Sequence, residues 1–190
     1  MRRLLLVLFV VLASALASQP ASLSATRDTP IVGRWQRTNT CQELVSALTK
    51  AGLGVLAPYA WQGQTSSQGQ SSFKPGSPKP TKAHPCSGAI PRLHSHFFTG
   101  QGQFGSLDSL GGQVDDGTYK IINERSFRIG SVTFRFRILS NKTLMLTPVL
   151  TKAIVRQARA HPAKFSDAFW AVSVAYAGHS WKRVPCKGWC

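Results

Sequence analysis

Phe127–Leu150 reads FRIGSVTFRFRILSNKTLMLTPVL, and apolar residues alternate with polar ones along it except at Gly130-Ser131 and Asn141-Lys142. A period of two, broken only by turn residues, is the pattern of half-buried antiparallel strands joined by short hairpins. Within VTFRFRI, Val132, Phe134, Phe136 and Ile138 take one face, and Thr133, Arg135 and Arg137 take the other, because successive side chains of a strand point to opposite sides of its sheet.

The same texture extends upstream. From Leu93 the chain runs LHSHFF, Thr99-Gly100-Gln101-Gly102, QFGSLDS, Gly111-Gly112 and Asp115-Asp116-Gly117 before TYKII. Connections this short make successive strands antiparallel neighbours, which predicts a meander. Ile31–Arg37 (IVGRWQR) reads as the first strand, and Thr40-Cys41-Gln42-Glu43 has the form of a capping box. Leu44, Val45, Leu48 and Leu53 then share roughly one face, predicting a short amphipathic helix that ends at Gly52 or Gly54. Downstream, Thr151–Ala160 reads as a basic helix stopped by His161-Pro162. Between 166 and 177 the residues fit either a helical face (Phe169, Val172, Tyr176) or one side of a strand (Trp170, Val172, Val174, Tyr176). The turn residues Ala177-Gly178-His179-Ser180 before SWKRV favour the strand.

The flanks indicate an address. Arg2 and Arg3, an apolar run from Leu4 to Leu12 and the small-x-small site Ala15-Leu16-Ala17 predict a signal peptide over 1–17, cleaved before Ser18. The run is too short to serve as a membrane span, which needs roughly 20 residues. Residues 18–30 read as a linker, 31–190 as one domain, and 62–85, rich in Gln, Ser, Gly, Lys and Pro, as a flexible loop. Cys41, Cys86, Cys186 and Cys190 all lie in the exported part, an even count that suggests two disulfides. Cys41 with Cys86 and Cys186 with Cys190 is the favoured pairing, with the other connectivities open.

Lys and Arg number 23 against 7 Asp and Glu, a formal net charge of +16. Such a surface attracts polyanions. The basic residues are dispersed along the chain and not clustered on one element with aromatic partners, so nucleic acid is not the expected partner. Acidic cell-wall polymers or anionic lipid surfaces are the charged partners to expect, with a basic surface that only maintains solubility as the alternative.

No catalytic constellation stands out. The chain has no Gly-x-Ser-x-Gly elbow and no His-Glu-x-x-His, and Asp115-Asp116, the one adjacent acid pair, reads as a turn with Gly117. Gly100-x-Gly102 with Gly105 lacks the Lys-Ser/Thr of a phosphate loop and opens no helix, so it reads as a turn, and no cofactor is expected. His94 and His96 project from the same face of a strand and are candidate metal ligands, with His179 a possible third. Ordinary hydrogen-bonded histidines are the competing reading.

Gly33-Arg34-Trp35 on the first strand, an up-and-down meander, and Arg183 in the terminal WKRV together resemble the lipocalin or calycin superfamily. The order HSHFF, GQFGSLD, DDGTY and WKRV is similar to secreted bacterial lipocalin-like proteins of uncharacterised function. The resemblance implies a mostly β fold: a single antiparallel β-barrel with one short helix after the first strand and one near the C-terminus. It implies that Trp35 plugs the closed end of the barrel with Arg183 packed over it. His94-Ser95-His96 is also similar to the spacing with which some calycin-like proteins bind zinc. A barrel of about eight strands can be filled by side chains or hold one small ligand, and Tyr119, Ile121, Phe134 and Phe136 are the candidate lining. The expectation is a secreted, monomeric binding protein for a small apolar or amphipathic ligand, not an enzyme. Metal binding through His94 and His96, or adhesion to anionic envelope polymers, are the alternatives.

Overall fold

The computed structural model describes residues 29–60, 73–107, 111–162, 172 and 179–190. The expected signal peptide, nearly all of the 18–30 linker, residues 62–72 of the loop and the 166–177 segment apart from Val172 lie outside these.

Eight strands form one closed barrel in chain order: β1 (Gly33–Asn39), β2 (Arg92–Phe98), β3 (Gln103–Leu107), β4 (Gln113–Asn123), β5 (Ser126–Ile129), β6 (Val132–Ser140), β7 (Thr143–Val149) and β8 (Ser180–Val184). Each pairs antiparallel with the next, and β8 returns to β1 with Trp35 opposite Arg183, so the sheet has no free edge. The alternation in Phe127–Leu150 maps directly onto β5, β6 and β7. Phe127 faces Phe134, and Phe136 faces Leu146. Gly130, at φ 53°, allows the tight link from Ile129 to Val132.

Asp115-Asp116-Gly117 is not a turn, contrary to the sequence reading. It lies inside β4, opposite Ser106, Gly105 and Phe104 of β3. A short acidic-Gly run satisfies the rules for a hairpin, but ladder pairing with β3 overrides that local preference.

Two apolar clusters divide the molecule. One lies within the barrel and includes Trp35, Phe98, Phe104, Phe127, Phe134 and Trp181. The other gathers Leu44, Leu48, Leu53, Leu56 and Ala158 around helices α1 (Cys41–Lys50), α2 (Ala57–Ala60) and α3 (Lys152–Ala160). Leu150, just after β7, packs against both. Helix α1 starts at the expected capping box: the Thr40 hydroxyl accepts from the Glu43 backbone N–H at 3.2 Å, and the Thr40 N–H donates to Glu43 Oε2 at 3.0 Å. The disulfides are Cys41–Cys86 and Cys186–Cys190.

Candidate ligand site inside the barrel

The strand that begins the barrel also sets its polarity. On β1, Gly33, Trp35, Arg37 and Asn39 are buried and alternate with more exposed neighbours. The inner face therefore passes from an aromatic at one end to a cation and an amide at the other. Register carries this gradient onto β2, where Trp35 sits opposite His96, Arg37 opposite His94 and Asn39 opposite Arg92.

At the Trp35 end, the indole is fully buried and donates from Nε1 to the Ile31 carbonyl at 2.8 Å. The Arg183 guanidinium lies 4.7 Å from the ring centroid and donates to the carbonyls of Pro30 at 3.2 Å and Val32 at 2.9 Å. Gly33, at φ 141°, leaves room for it: a Cβ there would sit 3.3 Å from Arg183 Cζ.

The middle is aromatic. Phe127 stacks on Phe134 with centroids 5.3 Å apart and an interplanar angle of 12°. Phe98 meets Phe104, Tyr119 and Phe127 at 5.2, 5.3 and 5.4 Å. Phe134 is fully buried and Phe136 nearly so. Ile121 is half-buried against the same cluster. Tyr119 donates its hydroxyl to the Thr99 carbonyl at 2.7 Å, and burial pushes its pKa up to about 12.

Trp181 on β8 marks the change of character. Its ring is fully buried, 4.4 Å from His96 and 6.2 Å from His94, with the Arg37 guanidinium 5.6 Å from its centroid. Buried His96 pairs through Nδ1 with the Ser106 hydroxyl at 2.9 Å and contacts the His94 ring edge-on at 4.7 Å. Arg37, 9 % exposed, donates from Nη2 to Glu43 Oε2 at 3.1 Å. That carboxylate thus joins the first turn of α1 to the barrel interior. His179 Nδ1 lies 3.6 Å from Glu43 Oε1.

Among the described residues, the buried polar atoms of this region without a hydrogen-bond partner include Trp181 Nε1 and Asn39 Oδ1. Most buried polar groups are satisfied, so each exception calls for a cause.

Electrostatics reinforce the Glu43 link. Burial alone would raise the Glu43 carboxyl, but hydrogen bonds from the Thr40 hydroxyl and backbone N–H and the charges of Arg37 and His179 hold it below the ordinary carboxylate range. Burial pushes His179 below its ordinary value. The charges of Arg37 and Lys50 act in the same sense, against the Glu43 carboxylate.

Of the residues singled out in the sequence, the structure brings Tyr119, Ile121, Phe134 and Phe136 together in the aromatic middle, and His94 with His96 beside Trp181. His179 stands with Glu43. Among the described residues, no three His, Cys, Asp or Glu side chains are grouped to hold a metal ion. Sequence reading did not single out Arg37, Asn39 or Trp181. The signal was present in Gly33-x-Trp35-x-Arg37-x-Asn39, where the period of two already places Arg37 and Asn39 on the side of Trp35.

Comparison of the chain with protein-family models, curated proteins and solved structures finds no match.

Proposed function

We propose that this protein is an exported, lipocalin-like binding module for one small amphipathic ligand taken into the barrel. The apolar part of the ligand lies against the Phe127, Phe134 and Phe136 side of the interior. Its polar or anionic head meets the region of Arg37, His96 and Trp181. The observation that carries this reading is the buried Trp181 Nε1–H, left without an acceptor among the described residues, beside a guanidinium and two imidazoles. An unsatisfied buried donor costs about 1–3 kcal/mol, and a ligand oxygen accepting from it would recover that cost. Two disulfides support a site of action outside the reducing cytoplasm. No helix among the described residues is long and apolar enough to cross a membrane.

Native mass spectrometry of protein purified without denaturation tests the reading. The expected spectrum contains a 1:1 adduct of a few hundred daltons or, for protein stripped of ligand, a 1:1 complex with dodecanoate. In Trp181→Phe, which keeps an aromatic at the site but lacks the N–H, the adduct weakens about tenfold, the loss of one hydrogen bond to a charged group. Bare protein with no uptake of dodecanoate or of other amphipathic probes would reject the reading.

A further inference from the structure

Basic residues scattered through the sequence converge on one outer face of the barrel. Lys120 on β4 stands directly opposite Arg128 on β5. Arg128 is opposite Thr133 on β6, which places Arg135 two residues further along the same strand, with Arg137 two beyond that. Diagonal neighbours on adjacent strands lie about 7–8 Å apart, and alternate residues of one strand about 7 Å. The four cations therefore form a continuous stripe about 20 Å long across three strands, and all four are exposed.

Among the described residues, no ion pair neutralises this stripe. No carboxylate of a described residue forms an ion pair with Lys120, Arg128, Arg135 or Arg137; the ion pairs among the described residues centre on Glu43, at the α1 end of the barrel. The Arg137 guanidinium lies 3.5 Å from the Met145 sulfur. Like charges directly opposite on neighbouring strands destabilise a sheet. The Lys120–Arg128 pair is thus a standing cost that Thr or Glu at either position would remove.

We infer that the outer face of β4, β5 and β6 is a docking surface for a linear, phosphate-bearing polyanion. Three of the four cations are Arg, whose planar fork binds phosphate oxygens two at a time. The remaining outward positions of these strands include Thr118 and Thr133, which add hydroxyl donors, and none is aromatic. With no ring to stack bases, the face recognises backbone charge and not nucleobases. With no interfacial Trp or Tyr, it also lacks the anchors that hold a protein in a bilayer surface. The inference is independent of the barrel interior and stands whether or not a small ligand binds there.

Binding of fluorescently labelled, long-chain inorganic polyphosphate provides the test, with poly-L-glutamate of similar length and phosphatidylglycerol vesicles as separate arms. Four phosphate contacts with a flexible single chain give a salt slope of about −2.8, so affinity is expected to fall about 50-fold between 50 and 200 mM salt. The double variant Arg135→Gln/Arg137→Gln is expected to halve that slope and to weaken binding at least about tenfold at low salt. Lys79→Gln/Lys82→Gln removes the same charge from an exposed segment elsewhere and is expected to leave both almost unchanged. Equal losses in the two double variants would reduce the effect to net charge and overturn the inference. Equal or tighter binding to polyglutamate or to vesicles would overturn the assignment of a phosphate polymer.

Discussion

At the residue scale, Glu43 serves three partners. It completes the α1 cap with Thr40, holds Arg37 within the barrel, and stands beside His179. Both Glu43 and His179 have lowered pKa values in the folded chain. A lowered pKa means that the unfolded state binds the proton more tightly, so acid favours unfolding. The stability from His179 is complete above its unfolded value near 6.5 and is lost as pH falls through the lower folded value. That from Glu43 is complete above 4.5 and is lost at lower pH still. Urea midpoints measured from pH 8 to pH 3 are therefore expected to decline in two stages, and Glu43→Gln to remove the lower one. A midpoint that rises on acidification would contradict this assignment. Trp35 provides a second residue-scale expectation. It is fully buried with its indole N–H satisfied, and Trp35→Ala should cost about 3–5 kcal/mol of unfolding free energy in denaturant titration.

At the element scale, the two disulfides should differ in consequence. Cys41–Cys86 joins residues 45 apart and ties the start of α1 to the segment before β2, whereas Cys186–Cys190 spans a separation of 4. Loop-closure entropy assigns about 4 kcal/mol to the longer crosslink and about 2 kcal/mol to the shorter. Cys41→Ser/Cys86→Ser is expected to lower the melting temperature clearly, and Cys186→Ser/Cys190→Ser by about half as much or less. The short ring instead positions Trp189, whose indole lies 5.1 Å from Phe97 on the outer face of β2. Gly105 of β3 makes room for that stack, since a Cβ there would collide with the Phe97 ring. Gly105→Ala is therefore expected to cost about 1–3 kcal/mol and to red-shift the Trp189 contribution to fluorescence as the indole is displaced into water. An unchanged spectrum and stability would show that Phe97 has another place to go.

At the scale of the whole molecule, the barrel was legible because its signals are local. Alternation through Phe127–Leu150, Gly at the tight turns and a Thr-x-x-Glu cap each act within a few residues, and each survives in the structure. Asp115–Gly117 misled because the same residues that suit a turn also fit a ladder once β3 is beside them. The interior polar end was hidden for a different reason. Arg37, Asn39 and Trp181 look like ordinary strand residues, and only closure of β8 onto β1 turns them towards the same space. The basic stripe was hidden in the same way, because Lys120, Arg128, Arg135 and Arg137 belong to different strands and become neighbours only through register.

The central claim is that the polar end of the barrel receives the head of an amphipathic ligand at Trp181. The most direct measurement follows the indole N–H resonance of Trp181, assigned by its loss in Trp181→Phe, during titration of the 15N-labelled protein with dodecanoate. A saturable downfield shift complete at one equivalent, as the indole N–H acquires an acceptor, is the expected result. A Trp181 signal that stays fixed while dodecanoate perturbs only surface residues would contradict the account.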